Sequence, residues 1–236
     1  MPLTKTKAEK KKFKQIGEKN KCSGDFQGYR YMKENDSKNA PALILLYDVN
    51  GYIAGIQTSF AEKHMKDPNV KAWFKKQRMF HEESLPVNKT DTYYTLTAYL
   101  VDPKIICSVG RTKEEFKHEA AGTNLYLKNG THNILIPKHE SDLANTNWTL
   151  GACFPSMGTH YWYSTSKDMN CKEFQPFFLL YNRKKLTVFG FVAFGGWKFS
   201  SYRYEHPPEL SYRGKDEESW SHTTLIVDIG YSPVKA

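Results

Sequence analysis

The sequence repeats itself loosely, and that repetition limits the fold more than any single motif does. In the first half, a cysteine, a glycine-led aromatic run and a hairpin read CSGDFQGYRYM (22–32) and APALILLYDVNGYIAG (40–55). In the second half the corresponding phrases are CFPSMGTHYWY (153–163) and QPFFLLYNRKKLTVFG (175–190). Cys22 matches Cys153 at an offset of 131, Gly28 matches Gly158 at 130, and Tyr47 matches Tyr181 at 134. TLTAYLVDP from Thr95 and TLIVDIGYSP from Thr224 follow at 129. Convergent β-propensity is the competing explanation. A duplication predicts approximate repeats over 22–110 and 153–236, joined by 111–152, in which paired edges cover each other as a closed or nearly closed sheet requires.

The rest of the pattern agrees with a β-rich chain. Strands are expected at 41–47, 51–60, 92–101, 123–128, 132–136, 159–163, 177–181, 186–194 and 223–229. They are rich in the aromatic and β-branched residues that suit a pleated surface. Asn50-Gly51 and Asn129-Gly130 predict tight type I′ hairpin turns. Helices are expected at 69–80, with Val70, Trp73, Phe74 and Gln77 on one face, and at 112–120, where Thr112 and Glu115 form a capping box. The expected fold is mainly β: an antiparallel barrel or sandwich of two approximate repeats with one or two outer helices.

Charge is unevenly placed. The chain carries a formal +9, but residues 1–21 hold eight Lys and two Glu, so most of the excess lies there. That segment reads as a basic flexible tail, with 22–236 as a single β-rich domain. Nucleic acid is therefore not the expected partner, although the tail and the lysine-rich helix at 69–80 leave an interaction module as an alternative. No stretch is long and apolar enough for a membrane helix, and the N-terminus shows no signal peptide. Four cysteines allow three pairings, and three N-glycosylation tripeptides begin at Asn88, Asn129 and Asn147. A mature secreted protein and a cytosolic one with buried thiols both fit.

Candidate chemistry gathers in two places. In MGTHYW (157–162), strand alternation places His160 and Trp162 on one face and Tyr161 on the other. The repeat sets Arg30 opposite His160, so a cation and an imidazole in an aromatic cavity would suit an anionic or phenolic ligand. The plainer reading of His160 is a hydrogen-bonded packing residue. In SSYRYEHPPEL (200–210), Arg203, Glu205 and His206 project from a loop or edge ended by Pro207-Pro208. His160, His206 and Glu205 are the candidate catalytic groups; Arg30, Tyr161, Trp162 and Arg203 are the candidate ligand contacts. His160, His206 and His222 could supply a three-histidine metal set, but no short chelating spacing supports it, and metal and cofactor stay unassigned. Paired acids such as Glu82-Glu83 lie in hydrophilic stretches and read as solvated. Nucleophile-elbow, P-loop, zincin and dinucleotide-binding motifs do not occur.

The phrases AGIQTS, LYLKNGT, MGTHYWY and RYEHP resemble a group of invertebrate proteins that includes marine-worm luciferases. That resemblance implies a secreted enzyme that oxidises a small aromatic molecule, and carries no catalytic set with it. The expected function is a small-molecule-binding β protein, with an oxidoreductase acting on the bound molecule as the enzymatic form.

Overall fold

A computed structural model describes residues 1–33, 42–122, 124–155, 157–195 and 222–228, with Cys171 and 222–228 described by backbone alone. The chain is mostly β and forms two antiparallel sheets. The first contains β1 (Phe13–Ile16), β2 (Tyr29–Lys33), β3 (Ile44–Tyr47), β4 (Ile53–Ala61), β5 (His81–Leu85), β6 (Asn88–Tyr99), β7 (Leu125–Asn129) and β8 (His132–Ile136). Its order is β1-β2-β3-β4-β6-β7-β8, with β5 also on β6. The second contains β9 (Trp148–Phe154), β10 (Gly158–Tyr163), β11 (Phe177–Asn182), β12 (Lys185–Phe194) and β13 (His222–Asp228), in the order β13-β12-β11-β10-β9. Each is an open ladder among the described residues, so the barrel alternative does not form.

Two compact units contain these sheets. One comprises Met1–His64 with Arg78–Ile136; the other comprises Met65–Gln77 with Pro137–Ala236. The helix α2 (Pro68–Lys76) therefore groups with the second unit, although it lies in sequence between strands of the first. Asp67 caps it by accepting from the amide of Asn69, and Val70, Trp73 and Phe74 are buried, with Gln77 beside them. Within that unit Trp73 Nε1 donates to the carbonyl of Phe174 at 2.8 Å, and its ring meets Phe194 edge-on.

The two sheets share a register over their matching strands. In the first sheet Arg30 pairs with Leu46, Leu46 with Gly55, and Gly55 with Tyr99. In the second His160 pairs with Leu180, Leu180 with Val188, and Val188 with Asp228. The irregularity between Leu46 and Tyr47 recurs between Leu180 and Tyr181. Gly28 and Gly158, which lead the matching strands, have φ of 108° and 112°. A Cβ on Gly28 would meet the carbonyl of Tyr47 at 3.2 Å, and one on Gly158 would fall on the carbonyl of Tyr181.

The equivalence begins earlier than the sequence phrases. Tyr47 Oη donates to the carbonyl of Pro2, and Tyr181 Oη donates to that of Pro137. The amide of Ile53 donates to Leu3, and the amide of Leu186 to Lys138. Isolated bridges join Thr4 to Tyr52 and His139 to Lys185. Residues 1–21, expected as a flexible tail, are thus built into the first sheet: Thr4 caps α1 (Lys5–Lys10), and β1 pairs with β2. Ala8, Phe13 and Ile16 are buried while most of the lysines point outward, which the average composition conceals. The cysteine landmark is not part of the equivalence. Cys22 lies between β1 and β2 and is bonded to Cys107, whereas Cys153 is an exposed free thiol on β9.

The turns are corrected as well. Val49, Asn50 and Gly51 form a three-residue loop in which the amide of Gly51 donates to Asp48 and only Gly51 has positive φ. In β7–β8 the closing pair is Asn129 and His132, so Gly130-Thr131 occupies the loop. Two consecutive positive φ values, as type I′ demands, instead occur at Arg183 and Lys184, closed by Asn182 and Lys185. The 112–120 helix is present as α4 (Lys113–Glu119), with the reciprocal Thr112–Glu115 box formed. A further short helix, α3 (Pro103–Ile106), precedes the disulfide-bonded Cys107.

Candidate functional site

Strand β4 is buried along its length and β6 from Tyr93 to Tyr99, yet both carry a line of polar side chains on one face. Gln57 and Ser59 share one face of β4, and Thr95 and Thr97 share one face of β6, because side chains two apart lie on the same side of a strand. Gln57 Nε2 donates to Thr97 Oγ1 at 2.8 Å, and Ser59 Oγ and Thr95 Oγ1 lie 2.7 Å apart. Burying these groups is tolerable because they bond to one another.

The line ends in charge. Arg30, from β2, donates through Nε to Gln57 Oε1 at 2.8 Å and through both terminal nitrogens to the Glu83 carboxylate at 2.7 and 2.6 Å. Thr95 Oγ1 donates to the same carboxylate at 2.6 Å. This bidentate geometry holds the guanidinium plane in one orientation. Phe26 covers it with its ring centroid 4.4 Å from the guanidinium carbon, and His81 meets Phe26 edge-on. The covering loop is held at Cys22 by the bond to Cys107 and at Gln27, whose amide donates to Tyr99 Oη. Lys128 reaches over the same ring, and burial lowers its pKa against the opposing pull of Asp25.

Beside this network is a half-open cleft of about 260 Å³, lined by Ile16, Gly17, Arg30, Ser84, Leu85, Pro86 and Lys89. Its walls are aliphatic rather than aromatic, and its charged lining is Arg30 and Lys89. The cleft can take a small apolar body and offers an anion two cations with no carboxylate among the lining residues.

The equivalent face of the second sheet has different chemistry. The positions of Gln57 and Ser59 are taken by Gly190 and Val192 in the matching register. The Phe178 ring lies against Gly190, where a Cβ would clash with it. His160 is buried among Phe154, Trp162 and Phe178, at centroid distances of 4.9, 6.2 and 5.5 Å. Its Nδ1 donates to the carbonyl of Ala152 at 3.3 Å. Burial pushes the His160 pKa down, partly offset by that hydrogen bond. This is the environment of a neutral packed imidazole.

Tyr161 projects from the opposite face as alternation requires, packs on Tyr181 and donates to Glu140 Oε1 at 3.0 Å. Trp162 packs on Phe174 and Phe178 and covers Gly151. Arg30 and His160 each have their own set of partners, and the aromatic side chains around His160 fill space against one another. Arg203, Glu205 and His206 lie outside the described residues, as does the side chain of His222, so the three-histidine set has no described geometry. Among the described residues no group of three or more metal-binding side chains occurs.

Sequence reasoning missed Glu83, Gln57 and Lys89. Glu83, read with Glu82 as solvated, stands on β5, as does His81. HEESL (81–85) alternates His81, Glu83 and Leu85 toward one face, and that pattern is the signal that could have found Glu83. No family model, curated protein or solved structure matches the chain.

Proposed function

We propose that this protein binds a small molecule with an apolar body and an anionic head in the cleft beside Arg30. The observation that carries the reading is the lining: two cations and three apolar side chains around about 260 Å³, with Arg30 fixed from behind by Glu83 and Gln57. A preorganised guanidinium loses little freedom when it meets a carboxylate, sulfonate or phosphate. The volume suits a ligand near the small end of the usual pocket range.

Titration with the aromatic anion anilinonaphthalene sulfonate, followed by fluorescence at equilibrium, is the test. Saturable binding to the native protein is expected. Lys89→Glu should weaken it by about tenfold, equivalent to about 1.4 kcal/mol, and Ser84→Trp should remove it by filling the cleft. Equal binding by the wild type and both folded variants would place the site elsewhere and overturn the reading. The resemblance to marine-worm luciferases implies a separate reading, the oxidation of a phenolic molecule by dioxygen with His206 or Glu205 as the base that takes the phenol proton. Oxygen uptake with an added phenolic substrate, compared between the wild type and His206→Ala, reads that step.

The Cys22–Cys107 bond supports an oxidising compartment, because such bonds persist in secreted and luminal proteins and are rare where thiols are kept reduced.

A further inference from the structure

Among the described residues, strand β9 is an edge of the second sheet and pairs with β10. Trp148–Phe154 contains no charged residue and no proline. Leu150 is 64 % exposed and Phe154 is 50 % exposed. An uncharged apolar edge invites another strand, and proteins usually blunt such edges with lysine, proline, shortness or a covering segment. The matching strand β1 has two of these devices: it is only four residues long and carries an exposed Lys14.

Strand β9 begins beside a different device. Asn147-Trp148-Thr149 is an N-glycosylation acceptor tripeptide, and both Asn147 and Thr149 are exposed. The backbone there is fixed, since the carbonyl of Asn147 accepts from Ser164 at 2.6 Å and Thr149 Oγ1 donates to the carbonyl of Thr165 at 2.7 Å. The other two tripeptides fall at hairpin turns. One begins at Asn88, whose Oδ1 accepts from Thr90 Oγ1 at 2.8 Å, and the other at Asn129, in the β7–β8 turn.

We propose that Asn147 carries an N-linked glycan that shields the β9 edge. The inference rests on the oxidising-compartment reading given above. In the modification the Asn147 carboxamide nitrogen bonds to the anomeric carbon of a polyprenyl-diphosphate-linked oligosaccharide. The anomeric C–O bond breaks, the diphosphate leaves with its electron pair, and the amide gives up one proton. A bulky hydrated group then stands at the first residue before the strand, where it obstructs pairing along the outer edge.

The test is expression of the full chain behind a cleavable leader in a eukaryotic secretory line, with retained and secreted protein both collected. Mass spectrometry of the peptide spanning Asn147 should show a hexosamine-containing glycan, removable by peptide N-glycosidase. Enzymatic deglycosylation of the folded wild type, or Asn147→Gln, should raise the oligomer fraction several-fold in light scattering. Adding Leu150→Lys should return the monomer. An unmodified Asn147 in protein whose Cys22–Cys107 bond has formed overturns the glycan alone. Reduced Cys22 and Cys107 in the same preparation overturn the compartment reading and the glycan with it. A glycan whose removal leaves the oligomeric state unchanged overturns the shielding role.

Discussion

Arg30 and His160 occupy the same register position in two equivalent strands, each paired with the corresponding leucine, Leu46 and Leu180. Around Arg30 the neighbouring strands supply Gln57 and Thr95 as bonded polar partners; around His160 the matching positions are Gly190 and Thr224, with an aromatic packing. One backbone plan thus supports a charged network in one copy and a stack of rings in the other.

That contrast makes Arg30 costly to remove alone. Arg30→Met leaves the Glu83 carboxylate, with only 11 % of its side chain exposed, without its guanidinium. A loss of about 3 kcal/mol is expected, at the lower end of the range for breaking a buried pair because water still reaches the site. Arg30→Met with Glu83→Leu should recover most of it. Urea midpoints of the two single variants and the double variant check the cycle.

Gly158 should be less replaceable than Gly28. Both have positive φ, but a Cβ at Gly158 falls on the Tyr181 carbonyl, whereas the one at Gly28 meets its carbonyl at 3.2 Å. Gly158→Ala is expected to cost about 3 kcal/mol and Gly28→Ala about 1–2 kcal/mol, within the range for strained backbone. Thermal unfolding of both variants, followed by near-ultraviolet circular dichroism, orders them.

The turn at Arg183 and Lys184 stores removable strain. Each has positive φ with a side chain that disfavours it, at about 1–2 kcal/mol per residue. Lys184→Gly relieves one of the two at some cost in unfolded-chain entropy, so a net stabilisation of about 0.5–1 kcal/mol is expected. A raised urea midpoint with an unchanged m-value is the outcome that agrees.

His160 should make stability depend on pH in one direction. Its folded pKa lies below the ordinary histidine value of 6.5 because of burial, so the unfolded chain binds its proton more readily. The contribution is fully present above pH 6.5 and is lost as the pH falls through 6.5 toward the depressed folded value. His160→Phe keeps an aromatic ring among Phe154, Trp162 and Phe178 and removes the titration. Between pH 7.5 and 5.5 the wild type should lose more stability than this variant, as measured by denaturant melts in matched buffers.

The strand framework was legible because its signal is alternation and aromatic content, and the tyrosines and glycines that mark equivalent positions are fixed by geometry. Gly28 and Gly158 must approach a carbonyl closely, and Tyr47 and Tyr181 must reach the carbonyls of Pro2 and Pro137. Residues 1–21 were misjudged because four buried residues, Pro2, Ala8, Phe13 and Ile16, outweigh eight lysines in effect while being outnumbered in composition. The site was legible only at Arg30. Its partner Glu83 stands 53 positions away, and a pairing across that distance depends on the β2–β3–β4–β6–β5 order, which no local pattern encodes. His160 was found as a position, while its enclosure by Phe154 and Phe178 emerged only from the ladder.

Helix α2 is made long before the residues it packs on. Trp73 is followed by about a hundred residues before Phe174, its hydrogen-bond partner, and by still more before Phe194. During synthesis the strands of the first sheet can pair while the buried face of this helix, which lies in sequence between β4 and β5, awaits residues that have not yet been translated. The two units therefore interleave in order of synthesis as they do in sequence. A chain cut after residue 136 would release a first sheet still carrying a helix that belongs to the missing part.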